Sequence, residues 1–244
     1  MNIETIDSAD YTMIGVFFLL NISLVVLLTQ PITTEIVGDW YILLTHLLIL
    51  PTLILSYKIR WFFFAVLQSL VASVIYHFTR VYDFDIEPHL ASWDVATQNI
   101  LMFCTLALLV FDTIPQDVFL GIIACGTFIA AVGDVEIGPF EVFEFFGAVA
   151  MVGLLVYLGY LSLYPDPNRH LTHIMIATIA SIISGVAFLL PNENFPEKYP
   201  LEHSIWHVSA YTMLYFIVKS IVFTPSRIQR FEMTPLSTVE DATE

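Results

Sequence analysis

Apolar residues along this chain come in long blocks, each close to the ~20 residues a helix needs to cross a bilayer. The pattern predicts eight membrane spans, at roughly 11–30, 40–57, 61–79, 93–111, 118–132, 142–163, 172–190 and 204–223. None alternates strictly between apolar and polar positions, so a β-barrel is not expected. Backbone groups in lipid must bond within their own segment, and the spans therefore read as helices. Gln30-Pro31, Pro88, Pro115, Gly138-Pro139, Pro165-Asp166-Pro167 and the stretch from Pro196 to Pro200 mark the turns. Pro115 and Gly133 confine the fifth span to a short run. The connections are short, which predicts one compact bundle. No internal repeat or low-complexity segment interrupts it, and the polar stretch from Thr224 onward reads as a mobile tail.

The first span follows Glu4, Asp7 and Asp10 where a signal peptide carries a positive start, so a retained helix is expected there. Basic residues set the orientation. With eight spans both ends of the chain share one side, which collects Lys58, Arg60, Arg169, Arg227 and Arg230. The other side holds Arg80, Lys198 and most loop acids. Positive residues favour the cytosolic side, so both termini are expected in the cytosol.

Composition sharpens this picture. The chain is 57% hydrophobic and 13% charged, a balance that excludes an ordinary soluble domain. Its net charge of -15 argues against nucleic acid and against a polybasic grip on anionic lipid. The two cysteines, Cys104 and Cys125, both fall inside apolar runs and read as packing residues, not a disulfide framework. Trp61-Phe62-Phe63-Phe64 reads as lipid-facing surface and part of an aromatic belt. Asn21-Ile22-Ser23 has a glycosylation pattern but lies within a span.

Ionisable residues inside a membrane are costly and point to function. His203-Ser204-Ile205-Trp206-His207 places two imidazoles four residues apart, on one helix face, where they can share a metal ion. Alone, such a pair is a weak signal and more often reads as two histidines satisfied by neighbours. The topology adds partners on the same side: His77 ends the third span, and Asp94 opens the fourth. Ser73 lies one turn before His77, on its face. If the fifth span were false, this parity would break and His203 would face the wrong side.

Each residue also has a plainer reading. His77 alone is an interfacial histidine, Asp94 a favourable charge or cap at a helix start, and Ser73 a small packing residue. Together they make a plausible catalytic zinc site with three protein ligands, His77, His203 and His207, and an open fourth position. Zinc would activate water, Asp94 would manage the proton, and Ser73 would steady the substrate carbonyl. His46 is isolated in the second span and is expected to hydrogen-bond a neighbouring helix. His170 and His173 fall on the cytosolic side, far from the site. His89 lies in an outer loop within possible reach of the metal. Glu144, near the start of the sixth span, is either cavity-lining or an interface residue.

Ser73-Val74-Ile75-Tyr76-His77, then Asp94, then the late His203 to His207 motif resembles a superfamily of membrane proteins. It unites alkaline ceramidases, progestin/adipoQ receptors, GPI-remodelling lipases and myomaker-like proteins. Tyr76-His77 followed by Asp83, and the loop Leu163-Tyr164-Pro165-Asp166, look most like the myomaker-like branch, which includes a GPI-cleaving phospholipase. The resemblance covers about residues 40 to 223. It implies a seven-helix zinc bundle in which His77, His203 and His207 bind the metal while Asp94 and Ser73 match the catalytic aspartate and serine. The chain departs from the pattern in an extra preceding helix and in the spacing from His77 to Asp94, which leaves Asp83 or Asp85 as competitors. Its tail also lacks the cysteine cluster that vertebrate myomaker uses for lipidation, which puts a fusion role in doubt.

The expectation is thus an all-α membrane protein: a seven-helix transmembrane bundle plus one extra N-terminal transmembrane helix. Residues 1–39 form the N-terminal tail and extra helix, 40–223 the zinc-binding core and 224–244 a polar cytosolic tail. The expected function is zinc-dependent hydrolysis of a membrane lipid amide or ester, ceramidase-like or phospholipase-like. The site would face the extracellular or luminal side of the plasma membrane or the ER/Golgi. Two other classes stand beside it: a non-catalytic remodelling or fusion protein with a structural zinc, and a receptor or transporter whose histidines sense pH.

Overall fold

The computed structural model describes residues 11–16, 19–20, 35–81, 87–111, 139–189 and 199–221. From residue 35 onward the described chain runs α1 (Glu35–Thr45), a 3₁₀ turn (His46–Ile49), α2 (Leu50–Ser56), α3 (Arg60–Val81), α4 (Glu87–Phe111), α5 (Pro139–Leu163), α6 (Leu171–Leu189) and α7 (Tyr199–Lys219). Among the described residues there is no strand, only an isolated bridge between Arg169 and Ile221. The expected fifth span, most of the first, Cys125, Asp83, Asp85 and the tail lie outside the described residues.

The 3₁₀ turn has a local cause. Pro51 opens α2 without an N–H, and its ring crowds the carbonyl of Leu47. That carbonyl instead accepts from Leu50 N–H, three residues on, and the helix tightens. α1 and α2 thus form one interrupted rod where a single span was expected. Three prolines expected to mark turns sit in first turns instead. Pro88, Pro139 and Pro200 occupy the opening positions of α4, α5 and α7, where a missing N–H leaves no intrahelical bond unmade. For that reason α7 starts at Tyr199, before the expected boundary.

The helices pack in a closed circuit: α3 on α4, α4 on α5, α5 on α6, α6 on α7, and α1 against both α7 and α3. α7 is the most enclosed. Every residue from Val208 to Val218 is buried, in keeping with a sequence that is apolar almost all round. Arg169 fixes the far end of the bundle by donating from Nη2 to the Leu108 carbonyl at 2.7 Å and to that of Leu109 at 3.3 Å. These are carbonyls of the last turn of α4, which lack intrahelical donors and carry the negative end of the helix dipole.

Polarity runs from inside to out. Thr52, Ser56, Ser69, Ser73, Thr105, Ser181 and Ser184 are buried, while Ile54, Phe64, Val71, Val152, Val156, Ile179 and Val186 are exposed. Water-soluble bundles carry the reverse arrangement. Among the described residues, Arg60–Arg80 and Trp93–Phe111 are long and apolar enough to cross a membrane, and Trp40–Ser56, Gly147–Leu163 and Leu171–Ala187 are shorter apolar helices. The aromatic run at the start of α3 corrects one expectation. Trp61 and Phe62 are buried in the core, and Phe64 is the exposed member. A helix that starts against its neighbours turns two of four consecutive rings inward whatever their identity. Cys104 is a buried free thiol, as expected.

Candidate metal centre

Four histidines from three parts of the chain converge. His77 extends from the last turns of α3 and His207 from the first half of α7, and neither exposes any surface. His203 lies one turn earlier on α7, half-buried, with its Nε2 3.0 Å from Nε2 of His207. His46, at the 3₁₀ turn after α1, is the fourth. Its ring centroid is 4.6 Å from that of His207 and 5.4 Å from that of His77. The His77 ring stands 5.2 Å from His203 and 5.3 Å from His207. One ring nitrogen each from His46, His77 and His207 lie within 4.8 Å of one another.

Hydrogen bonds preset these rings. Nδ1 of His46 lies 2.8 Å from the Ile42 carbonyl, which only accepts, so Nδ1 carries the proton. In the neutral ring Nε2 then holds the lone pair, and it accepts the Ser73 hydroxyl at 2.7 Å. Nδ1 of His207 lies 2.8 Å from the Tyr211 hydroxyl, one turn on, which leaves its Nε2 aimed at His203. Both ring nitrogens of His77 are buried without a hydrogen-bond partner among the described residues. A buried imidazole left unsatisfied is costly in an ordinary core, and a metal is one partner that removes the cost.

The set fits a metal on further grounds. Four neutral nitrogen donors suit zinc and its neighbours better than calcium or magnesium, which take oxygen. Nitrogens about 2.0–2.1 Å from one tetrahedral zinc stand about 3.3 Å apart. The 3.0 Å between His203 and His207 is close to that edge. The outward hydrogen bonds of His46 and His207 are the kind that fix ligand tautomers around metals.

Asp94 lies on the adjacent wall. It is buried in the second turn of α4, and its Oδ1 accepts from Nε2 of Gln98 at 3.4 Å. Ser73 and Tyr211 lie close enough to Asp94 to act on it electrostatically. Ser73 therefore stands between His46 and Asp94, and Tyr211 between His207 and Asp94. Polar groups from the 3₁₀ turn, α3, α4 and α7 are thus buried in one region.

All five site residues expected from the sequence thus fall in one region. The three nitrogens mutually within 4.8 Å, however, include His46 in place of His203. His46 does bond a neighbouring helix, as expected, but it is not isolated. Its distance in sequence from every other member hid it, and the available signal was its polar ring inside an apolar span. His170 and His173 lie at the other end of α7, where His170 N–H donates to the Ser220 carbonyl at 2.7 Å. The rise per residue puts that end about 20 Å from the centre, so they take no part in it. The side chains of His89, Glu141 and Glu144, and all of Asp83 and Asp85, lie outside the described residues. No protein-family model, no curated protein and no solved structure matches the chain.

Proposed function

We propose that this chain is a multi-pass membrane protein that binds zinc through His77, His203 and His207 and hydrolyses a lipid amide or ester at the outer or luminal membrane face. The observation that carries this reading is the convergence of buried imidazoles from separate helices beside a buried carboxylate and hydroxyl. The inside-out polarity of the bundle supports placement in lipid. So does the resemblance of the Ser73–His77, Asp94 and His203–His207 pattern to zinc-containing lipid hydrolases.

Bound zinc would supply Lewis acidity, polarising a carbonyl and easing the ionisation of water. The chain's own groups would do the rest. Asp94 would take a proton at its carboxylate and return it to a leaving group, with Gln98 donating to one oxygen. The Ser73 hydroxyl can donate to an oxygen that gains negative charge during carbonyl attack. Tyr211 orients His207 and keeps its Nε2 directed inward. A cavity of about 300 Å³ opens between α6 and α7, lined by Ile182, Ile183, Val186, Ala187, Glu202 and Ile205. Ile182 and Val186 are exposed on its rim, so an acyl chain can enter sideways from lipid, next in sequence to His203.

A second reading has one observation in its favour. Four imidazoles around one metal would leave no open position, which is the coordination of a structural zinc. The chain would then be a non-catalytic membrane-remodelling protein whose metal clamps the 3₁₀ turn to α3 and α7. Lipid profiling of membranes with and without the protein separates the two. A hydrolase depletes one amide or ester lipid and accumulates the matching fatty acid. An unchanged lipid profile points to the clamp.

A further inference from the structure

We propose that His46 is a fourth, exchangeable ligand of the metal centre, with Ser73 as the latch that holds it off the metal. The inference rests on the metal reading above and deepens it. Three facts converge on Nε2 of His46. The Ile42 carbonyl commits Nδ1–H, so Nε2 carries the ring's one available lone pair. The Ser73 hydroxyl takes that lone pair at 2.7 Å. Yet a His46 ring nitrogen lies within 4.8 Å of donor nitrogens on His77 and His207, and the residue is only 3% exposed. Nδ1 is held by its own helix, so Nε2 is the nitrogen free to turn to a metal.

One lone pair serves one partner at a time. With Nε2 on Ser73, His77, His203 and His207 leave a fourth position for water or a substrate oxygen. With Nε2 on the metal, the centre has four nitrogens and is closed. The Ser73 proton then needs another acceptor, and the Asp94 carboxylate is already beside it. Closing the centre therefore turns Ser73 toward Asp94, and opening it turns Ser73 back. This switch reconciles a four-histidine cluster with hydrolysis, which needs an open position. The 3₁₀ turn forced by Pro51 begins at His46 and sets the height of the ring on its helix.

Ser73→Ala makes the sharpest test, because the two possible roles of Ser73 differ in sign. A latch competes with the metal, so its removal tightens binding. A support that orients His46 for the metal would loosen binding when removed. Full-length protein in lipid nanodiscs, stripped of metal, is titrated with Co²⁺ alone. Visible absorption reports both affinity and ligand set. Ser73→Ala should bind Co²⁺ roughly two- to tenfold more tightly, the equivalent of one hydrogen bond, with bands moved toward a four-nitrogen tetrahedral set. His46→Ala should bind roughly tenfold or more weakly and lose the four-nitrogen component. Unchanged or weaker binding by Ser73→Ala, or a His46→Ala spectrum identical to wild type, overturns the proposal. If His46→Ala does not fold, the sign of the Ser73→Ala effect still decides. Wild-type binding by His207→Ala would instead overturn the metal reading, and the switch with it.

Discussion

Asp94→Asn separates chemistry from folding, and the structure sets both magnitudes. The substitution keeps the size and planarity of the side chain. Its remaining carbonyl oxygen can still accept from Gln98, now at 3.4 Å from Oδ1. The new amide can donate toward Ser73, whose oxygen can accept while its proton goes to Nε2 of His46 at 2.7 Å. Every hydrogen bond of the network thus has a neutral replacement, and the stability change should be about 1 kcal/mol, that of one altered hydrogen bond. The catalytic loss should be far larger. Asparagine cannot take up a proton, and removing a general base slows turnover by about 10²–10⁴-fold, or roughly 3–5 kcal/mol of barrier. The assay compares matched amounts of wild type and variant on ceramide-like and phospholipid substrates in liposomes, with bound zinc and thermal stability measured on the same samples. Zinc content should be equal and melting nearly so, with turnover lost. Equal, above-background turnover by both proteins would refute the role of Asp94. Collapse of zinc binding in the variant would show that the carboxylate supports the metal and not the proton.

Three further outcomes follow from the same structure. His207→Ala should lower zinc occupancy and thermal stability together, since bound metal adds its binding free energy to folding, and chelator treatment of wild type should reproduce the loss; equal melting of wild type, variant and chelated protein would contradict this. Arg169→Ala should destabilise the protein by roughly 1.5–3 kcal/mol, because the Leu108 and Leu109 carbonyls lose a charged donor, while zinc content stays unchanged; an unaltered melting curve would exclude that role. Tags at the two ends of the chain should both be protected in intact cells, and an externally accessible N-terminus would refute the eight-span topology.

What could be read from the sequence is what rests on short-range spacing. The four-residue steps from Ser73 to His77 and from His203 to His207 fix side chains on one helix face; α3 carries the first pair, and the second stands on α7 with its Nε2 atoms 3.0 Å apart. The sequence reading brings His77 and His203 to one side through eight alternating spans, of which the fifth lies outside the described residues, and the two rings stand 5.2 Å apart. His46 was legible only as a polar residue in an apolar run. Its bond to Ser73 spans 27 residues and depends on how α1 is turned above Pro51, which periodicity does not encode. The aromatic run failed for a related reason. Trp and Phe suit lipid and protein core equally, so identity could not say that Trp61 and Phe62 turn inward while Phe64 turns out. Pro88 and Pro200 were read as turns because proline ends helices, but it also begins them.

The buried nitrogens of His46, His77 and His207 lie close enough together to hold a metal ion. Elemental analysis of full-length protein, purified in detergent without chelator and without added metal, is the most direct test of whether they do. About one zinc per chain is expected in wild type and almost none after joint replacement of His77 and His207 by alanine, in protein that still elutes as a single folded species. Metal-free wild type that remains empty when offered zinc, or equal zinc in wild type and the double variant, would contradict a metal centre.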